Sequence, residues 1–430
     1  MSETRSAGRP ADPANRGFDL RFVNAHYAPD VAATGEFLTD LAEGLVARGH
    51  RVHVVTGRSP YGAGGRGLPD EEVRQGVRVT RVRTTHLGRG GTLGRLTDYA
   101  TFLAGAAAPA LSGSPDLTVY LTTPPLLGVL GWAGRRLGTA GPYGLWVMDL
   151  HPEAELAHGM LAEDGAVARG LERLDRRLFR GSSLTVALGR CMARRIREKT
   201  PAPSRLDVLP LWRDPGEVQP VPREENPMAK PWNVGARFVI MYSGNAGLGH
   251  RFDEIRAVMR RWRDDDGILW LFVGGGPRRA ELEEFIRRER IGNAVYRDYV
   301  PRDQVRWSLP LADVHLLSLQ PEWNGIAVPS KLFGIMAAGR PAVMVGPPDA
   351  EPARILREAD MGTVVDPTGD DPVERLAESL TRIRQEPELR RRQGKRGRAV
   401  LEASYSREAG VDRWDDLLRR TLTAPRPGAL

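Results

Sequence analysis

One segment of the chain reads Phe238-Val239-Ile240-Met241-Tyr242-Ser243-Gly244-Asn245-Ala246-Gly247-Leu248-Gly249. Its first five residues form a brief apolar run, as expected of a buried parallel strand, and residues 252–263 predict a helix. Glycines between a strand and a helix expose main-chain amides that suit a phosphate. The spacing departs from both the GxGxxG and the Walker patterns, so neither a dinucleotide oxidoreductase nor a P-loop NTPase is supported. The segment therefore predicts an α/β fold with a phosphate-binding loop, and a plain strand-to-helix turn is the alternative.

The same alternation of strand and helix extends in both directions from this segment. Further strands are predicted at 18–25, 52–56, 77–82, 117–121, 144–148, 183–187, 206–209, 269–273, 295–296, 314–318 and 341–345. Helices are predicted at 36–48, 96–111, 124–138, 171–180, 252–263, 280–289, 331–338 and 372–385. Strands that alternate with helices in this way indicate doubly wound parallel sheets.

Residues 214–233 interrupt the alternation with five prolines and scattered charges, which is typical of a linker. The sequence thus predicts an α/β protein with two tandem, Rossmann-like, doubly wound parallel-sheet domains that face a central cleft. We assign a flexible N-terminal tail to 1–17, the first domain to 18–213, the linker to 214–234 and the second domain to 235–405. Residues 406–430 predict a C-terminal helix that could pack back on the first domain.

The composition bounds the class of protein. Of 430 residues, 41% are apolar and 27% are charged, which excludes a wholly disordered or fibrous chain. Lys and Arg (62) exceed Asp and Glu (54) by 8, a balance that favours anionic partners. The one cysteine, Cys191, excludes an internal disulfide and a cysteine-based zinc cluster, and fits a reducing compartment. No run approaches the roughly 18 apolar residues of a membrane span, so we expect a soluble, cytoplasmic protein that could lie at the inner face of the cell membrane.

The positive charge is densest in two runs, at 173–180 and 190–199. They are either solvated helix faces or surfaces that adhere to anionic headgroups, helped by the apolar stretches 96–111 and 124–133. Both interpretations stay open at this point. Nucleic acid is a poorer candidate partner, because the sequence has no groove-reading motif and no aromatic stacking platform.

Four further motifs carry candidate chemistry. Gly274-Gly275-Gly276-Pro277 follows a predicted strand, where glycines allow either close approach of a ligand or tight packing of a helix on the sheet. Pro329-Ser330-Lys331 brings a hydroxyl and a cation to a predicted helix start and could hold a diphosphate, although a lone lysine in a loop is usually just solvated. Asp149 and His151 end a predicted strand and could place a base or orient a hydroxyl, with structural capping as the alternative. Residues 32–36 follow the first strand and would line the same cleft.

Taken in order, these residues resemble a GT-B glycosyltransferase of glycosyltransferase family 4 over residues 18–418. Within that family the sequence is most similar to the branch of colanic-acid-type and other exopolysaccharide or O-antigen transferases. In the first domain the resemblance rests on His26-Tyr27-Ala28-Pro29-Asp30, Arg48-Gly49-His50, Thr123-Pro124-Pro125 and Met148-Asp149-Leu150-His151-Pro152-Glu153. In the second it rests on Tyr242-Ser243-Gly244-Asn245, Val273-Gly274-Gly275-Gly276-Pro277, Tyr299-Val300-Pro301, Leu311-Ala312-Asp313-Val314 and residues 329–341.

The resemblance implies that the second domain binds a nucleoside-diphosphate sugar and that the first domain binds the acceptor. It implies a hexosyltransferase that retains anomeric configuration and needs neither a metal nor a cofactor, because hydrogen bonds and cations stabilise the leaving diphosphate. The donor-binding residues that it implies are Gly244, Asn245, Gly247, Gly275, Tyr299, Val300, Pro329, Ser330, Lys331 and Glu351. The implied catalytic residues are Asp149, His151, Arg251 and Lys331, and the implied acceptor-binding residues are Thr34, Gly35 and Glu36. The acceptor would be a lipid-linked saccharide at the anionic membrane surface, or a natural product, in either case through a hydroxyl group.

Two departures from the family pattern shape these assignments. The two glutamates that many relatives carry eight positions apart fall here at Ile326 and Gly334, so we assign the donor ribose to Glu351 in preference to Glu322. The Arg and Lys that usually follow the first glycine loop have only His250 and Arg251 as counterparts.

Two other functions fit the same fold. A nucleotide-sugar 2-epimerase would need acid and base groups that face C2, and it would convert the donor with no acceptor present. A non-catalytic sugar-nucleotide-binding protein would bind the donor without turnover, and the missing glutamate pair favours it.

Overall fold

The structure is a computed structural model that describes residues 17–30, 32–58, 68–88, 91–200 and 205–424. The predicted N-terminal tail at 1–17 lies outside these ranges except for Gly17. The chain divides into two compact units. Of the described residues, unit 1 contains those within 17–146, 178–185 and 411–424, and unit 2 contains those within 147–177 and 186–410.

Strands and helices alternate through the described residues. The strands are β1 Asp19–Val23, β2 Arg51–Gly57, β3 Glu71–Arg74, β4 Val77–Val82, β5 Leu117–Leu121, β6 Tyr143–Val147, β7 Leu184–Ala187, β8 Leu206–Val208, β9 Phe238–Ser243, β10 Ile268–Val273, β11 Ala294–Arg297, β12 Val314–Ser318, β13 Ala342–Val345 and β14 Gly362–Val365. The α-helices are α1 Ala33–Ala47, α2 Thr92–Leu111, α3 Val129–Arg136, α4 Glu153–Ala157, α5 Ala166–Gly181, α6 Arg190–Lys199, α7 Asp253–Arg261, α8 Arg279–Arg288, α9 Val305–Ser308, α10 Lys331–Ala337, α11 Glu351–Glu358, α12 Pro372–Gln385, α13 Pro387–Val400 and α14 Arg407–Thr423.

The strands form two sheets. The eight-stranded sheet has the order β3-β4-β2-β1-β5-β6-β7-β8. In it β1 pairs in parallel with β2 and β5, β2 with β4 and β5 with β6, whereas β3 runs antiparallel to β4. The six-stranded sheet has the order β11-β10-β9-β12-β13-β14, and each of its neighbouring pairs is parallel. The predicted α/β class with two parallel, doubly wound sheets is confirmed.

The order of the six-stranded sheet creates a topological switch point in unit 2. The chain moves outward in one direction from β9 through β10 to β11, and then returns to β12 on the other side of β9. Loops that leave the carboxyl ends of two such neighbouring strands diverge and open a crevice, which is where ligands bind in sheets of this kind. The loop that follows β9 begins at Gly244, and the segment that follows β12 leads to Lys331.

The strands of this sheet are short apolar runs because both faces of the sheet are covered. All six residues of β10 are buried. Trp270 and Phe272 pack in a cluster with Ile255 of α7, whereas Leu271 packs in a second cluster with Leu311. Successive side chains of β10 therefore point to opposite faces, as strand geometry requires.

The last helix, α14, contributes to the core of unit 1. The ring centroid of Trp414 lies 4.8 Å from that of Trp146 and 6.4 Å from that of Phe22. Nδ1 of His50 accepts a hydrogen bond from the backbone N–H of Phe18. The ring proton is therefore on Nε2, which donates a hydrogen bond to Asp415 at 2.7 Å. These contacts fix the C-terminal half of α14 against β1 and β6 in unit 1.

Several predicted elements differ from the observed ones. The helix predicted at 124–138 is confined to α3. The helix predicted at 36–48 begins three residues earlier, at Ala33. The sequence also predicts no element at β3, β14, α4, α9, α11 or α13.

Candidate functional site

Two glycine loops meet beside the switch point of unit 2. Gly244 has φ +115° and Gly276 has φ +114°, conformations that favour glycine. The backbone N–H of Ala246 donates to the carbonyl of Gly275 at 2.6 Å. A Cβ on Gly276 would lie 2.3 Å from Oδ1 of Asn245, so only glycine fits there. The loops predicted at 243–249 and 274–277 are thus in direct contact, and both need their glycines.

Lys331 lies against the first of these loops. Its Nζ is 2.5 Å from the hydroxyl of Tyr242, 3.1 Å from the carbonyl oxygen of Asn245 and 3.4 Å from Nε2 of His250. The same nitrogen lies 3.9 Å from the centroid of the Tyr242 ring. A Cβ on Gly244 would meet the Lys331 side chain at 3.4 Å. Lys331, the cation of the predicted Pro329-Ser330-Lys331 turn, therefore contacts a glycine loop that lies 82 or more residues earlier in the chain. Pro329 and Ser330 are half-buried.

His250 is neutral and therefore does not replace the missing cation of the family pattern. Its Nδ1 lies 2.6 Å from the carbonyl oxygen of Ser318, so Nδ1 carries the proton and donates. Burial, followed by the charges of Lys331 and Arg278, lowers the pKa of His250 to about 3. Nε2 is consequently a hydrogen-bond acceptor that faces Lys331. Gly247 lies over this ring, because a Cβ there would be 3.7 Å from Cδ2 of His250.

Arg251 is held by carboxylates of the same unit. Its Nε lies 2.8 Å from both carboxylate oxygens of Glu254, which is buried, and Nη1 lies 3.6 Å from Asp253. The Glu254 hydrogen bond outweighs burial and raises the pKa of Arg251. Arg251 is thus a fixed, permanent cation next to the loop, and its contact with a diphosphate stays a prediction.

Tyr299 and Val300 lie next to the second glycine turn. A Cβ on Gly275 would lie 2.9 Å from Cε2 of Tyr299, so the ring covers this glycine closely. The Tyr299 side chain is 60% exposed, whereas Val300 packs against the apolar cluster on one face of the six-stranded sheet. An exposed aromatic ring beside a glycine turn is a surface on which a planar base can stack. Donor binding by Tyr299 and Val300 stays a prediction.

The segment that bears Asp149 and His151 also belongs to unit 2. Asp149 forms an isolated antiparallel bridge with Ala327, and the backbone N–H of Leu150 donates to the carbonyl of Ile326 at 2.9 Å. Ala327 precedes Lys331 by four residues. The backbone thus connects this segment to the turn that carries Lys331.

The side chain of His151 is oriented by Glu155. Its Nδ1 lies 2.8 Å from Oε1 and 3.0 Å from Oε2 of Glu155, so Nδ1 donates. Burial opposes a charge on His151, but Glu155, Asp149 and Asp175 together raise its pKa. Burial is also the largest effect on Asp149, and it raises the pKa of that carboxyl group. The sequence predicts Asp149 and His151 as functional residues but gives no signal for Glu155 beyond its spacing of four residues.

Glu351, predicted to bind the donor ribose, has a different partner in the structure. It is 3% exposed and accepts the backbone N–H of Arg190, the first residue of α6, at 2.6 Å. The Nε of the same arginine donates to Oε1 at 3.0 Å. Both carboxylate oxygens are therefore used at the start of α6, where a negative charge is favoured. The ribose role of Glu351 stays a prediction that this geometry does not support.

Several side chains of the basic run at 190–199 form ion pairs within unit 2. Arg190 also pairs with Glu358 at 2.7 Å, and Arg194 pairs with Asp349 at 2.7 Å. Lys199 pairs with Glu153 at 2.8 Å and with Asp175. The other basic run differs, because its four arginines are exposed on α5, namely Arg173, Arg176, Arg177 and Arg180. Arg194 and Arg197 of α6 are exposed as well, so both interpretations of the basic runs stay open.

The predicted acceptor residues lie in unit 1, at the start of α1. A Cβ on Gly35 would lie 3.1 Å from the backbone carbon of His26, so this glycine lets α1 approach the loop that follows β1. Oγ1 of Thr34 is buried and has no hydrogen-bond partner among the described residues. Glu36 is half-buried in the first turn of the same helix. Their role in acceptor binding stays a prediction.

The chain is similar to known glycosyltransferases. Residues 33–212 match the family described as "Glycosyl transferase 4-like domain". The chain is 26% identical over 313 residues to the probable glycosyltransferase WbjE of Pseudomonas aeruginosa, covering 73% of this chain and 74% of WbjE. It is 23% identical over 341 residues to the putative colanic acid biosynthesis glycosyl transferase WcaI of Escherichia coli (strain K12), covering 74% of this chain and 81% of WcaI.

A solved structure shows the same fold. The crystal structure of Anabaena Alr3699/HepE in complex with UDP and glucose superposes with a TM-score of 0.70. The superposition covers 94% of this chain and 100% of HepE, at 13% sequence identity. At this identity the likeness establishes a shared architecture.

Proposed function

Because this chain is a GT-B glycosyltransferase of glycosyltransferase family 4, we propose that it transfers a sugar from a nucleoside-diphosphate sugar to a hydroxyl group of an acceptor. The observation that carries the proposal is the contact of Lys331 with the glycine loop, where Nζ lies 3.1 Å from the carbonyl of Asn245 at the switch point of the sheet. The solved structure of HepE with UDP and glucose supports the donor class, since the two proteins share a fold.

Stabilisation of the leaving diphosphate is the main chemical task in this reaction. As the bond between the sugar C1 and the diphosphate oxygen breaks, negative charge builds on that oxygen, and a cation placed there stabilises the transition state more than the ground state. We assign this role to Lys331 and Arg251. The glycines of the two loops let main-chain amides approach the phosphates where a Cβ would block them. In this proposal the chain's own cations carry the charge and no metal takes part.

Asp149 and His151 position hydroxyl groups of the acceptor or the donor. Nδ1 of His151 donates a hydrogen bond to Glu155, which leaves Nε2 as the nitrogen that meets a substrate hydroxyl. Burial raises the pKa of Asp149, which favours proton retention by this carboxyl group and suits a role in holding a hydroxyl group. Transfer with retention of anomeric configuration is the stereochemical course that we propose.

We assign the acceptor to the class of lipid-linked saccharides, as in the biosynthesis of exopolysaccharides. The name of the relative WcaI supports this class. In unit 1, α2 exposes Leu93 (80%) and Leu96 (56%), with Arg95 exposed between them. Exposed apolar side chains with interleaved cations suit an anionic membrane surface, at the cytoplasmic face in this proposal. None of the helices in the described ranges is long and apolar enough to cross a bilayer.

The proposal is tested by incubating the protein with a panel of labelled nucleotide sugars, with and without membrane lipid extract. We expect release of a nucleoside diphosphate that depends on the extract, together with label in the lipid fraction. Conversion of the donor without extract would instead indicate an epimerase. Donor binding with neither reaction would indicate a non-catalytic binding protein, and either result would contradict the proposal.

A further inference from the structure

The amino group of Lys331 has three polar contacts, and only one of them is variable. The carbonyl oxygen of Asn245 only accepts hydrogen bonds. Nε2 of His250 also only accepts, because the proton of this ring is on Nδ1. Lys331 therefore donates to both. The hydroxyl of Tyr242, 2.5 Å from Nζ, can either donate or accept.

Rotation of the Tyr242 hydroxyl allows this cluster to hold Lys331 in either charge state. An ammonium has three donors, and it fills all three contacts when Tyr242 turns its proton to the carbonyl of Asn245, 3.0 Å away. A neutral amine has two donors and one lone pair, and that lone pair accepts the Tyr242 proton. Loss of the proton costs the hydrogen bond from Tyr242 to Asn245. It leaves no polar group of the cluster unsatisfied, because the Asn245 carbonyl still accepts from Lys331.

The groups that face this cluster are neutral or positively charged. Burial raises the pKa of Tyr242 well above its usual value, so β9 contributes an uncharged hydroxyl. Arg278, which precedes α8, acts on His250, and β12 contributes the carbonyl of Ser318. Among the described residues, no carboxylate forms an ion pair or hydrogen bond with Lys331. Burial without a counter-charge lowers the pKa of Lys331 to about 7.

We infer that Lys331 takes up a proton from solvent when the diphosphate of a nucleotide sugar binds, and that it exchanges its hydrogen bond to His250 for one to a phosphate oxygen. The contact to His250, at 3.4 Å, is the longest of the three and the easiest to give up. The diphosphate supplies the counter-charge that the cluster lacks. This inference rests on the proposed function, since it needs a donor diphosphate on the glycine loop.

Proton uptake is measured by calorimetric titration at about pH 8 in two buffers of different ionisation enthalpy. The probe is UDP-glucose, or the sugar nucleotide of another base if UDP-glucose does not bind. Such a ligand has no phosphate proton that titrates in this range, so the exchanged proton belongs to the protein. A group with a pKa of about 7 is about 90% unprotonated at about pH 8, so we expect uptake of about 0.9 proton per ligand bound. Above about pH 7 the affinity should fall about tenfold per pH unit.

Three variants assign the proton to Lys331. Lys331→Arg keeps its charge at every pH used, so its proton uptake should vanish and its affinity should not vary with pH. Lys331→Met carries no charge, so its uptake should also vanish and its affinity should be weaker at every pH. Lys395→Arg changes an exposed lysine of α13 and should behave as the wild type does.

The possible failures are distinguishable. Tight binding without proton uptake, or equal uptake by wild type and Lys331→Arg, would overturn this inference and leave the proposed function intact. If no nucleotide sugar binds to the folded protein, the proposed function fails and the inference fails with it.

Discussion

Nδ1 of His151 lies 2.8 Å from Oε1 of Glu155, four residues further along the chain. Burial disfavours a charge on the imidazole, but the Glu155 carboxylate, with Asp149 and Asp175, raises the pKa of His151. The same contact lowers the pKa of Glu155 against the effect of its burial. Glu155 thus sets the orientation of a residue that we place among the catalytic groups, and it favours the charged form of that residue.

Replacing Glu155 with Gln should lower the pKa of His151. The amide keeps a similar shape but has no charge to stabilise the imidazolium, so we expect the pKa of His151 to fall. The value is read from the NMR titration of the imidazole C2 proton, and the pH profile of kcat/KM should move by the same amount. Glu153→Gln is the matched control, because the Glu153 carboxylate pairs with Lys199 instead. An unchanged titration of His151 in the Glu155 variant would show that the carboxylate does not control its charge.

Replacing Gly276 with Ala should disrupt the contact between the two glycine loops. The new Cβ would lie 2.3 Å from Oδ1 of Asn245 and 2.6 Å from the carbonyl oxygen of Ala246, at a φ of +114°. We expect a loss of about 1–3 kcal/mol in the free energy of unfolding and at least about tenfold weaker nucleotide binding. Gly292→Ala is the control, since no heavy atom lies within 4 Å of its Cβ position, and it should change stability by less than about 0.5 kcal/mol. Equal nucleotide affinity of the two variants would show that the contact between these loops does not contribute to nucleotide binding.

Replacing Glu351 with Ala should lower the free energy of unfolding and leave the nucleotide affinity unchanged. The variant leaves the first N–H of α6 and the Arg190 guanidinium without their buried acceptor, so we expect a loss of about 1–3 kcal/mol in urea unfolding. Glu358→Ala removes a more exposed partner of the same arginine and should cost less than about 1 kcal/mol. A weaker affinity of the Glu351 variant for nucleotide, with stability unchanged, would instead support its predicted contact with the ribose.

Replacing Lys331 with Ala should lower turnover by about 10²–10³-fold, because one transition-state donor is worth that much in rate. The measurement is acceptor-dependent release of nucleoside diphosphate, with circular dichroism to check that the variant is folded. Lys395→Arg, the same exposed control as above, should retain full turnover. Unchanged turnover in folded Lys331→Ala would remove this residue from the mechanism.

Local sequence patterns were sufficient to predict much of the fold. The bounds of β4, β5, β12 and α12 agree with the prediction, since each is an apolar run or a periodic segment. The edge strand β3 has the sequence Glu-Glu-Val-Arg, which carries no apolar pattern. It forms because the turn at Gln75 and Gly76, both with positive φ, folds it back onto β4. A strand that forms because of its turn and its neighbouring strand has little in its own sequence that predicts it.

The sequence predicts those parts of the candidate site that are formed by residues close together in the chain. The glycine loops and the turn before Lys331 have residue types whose conformational demands can be read from the sequence. The partners of Lys331 could not be found in this way, because Tyr242 and His250 lie 89 and 81 residues away along the chain. The pairing of Glu351 with Arg190 spans 161 residues, and it gives the glutamate a role that spacing cannot show.

The most direct test of the central claim is calorimetric titration of the folded protein with UDP, GDP, ADP, CDP and dTDP. A glycine loop with Lys331 at the switch point of the six-stranded sheet should bind at least one of them, and Lys331→Met should bind that nucleotide more weakly. The base that binds also identifies the pool of donors for the transfer assay. If all five produce no binding heat at any temperature tested, and none shifts the unfolding temperature, the chain does not use a nucleoside-diphosphate sugar.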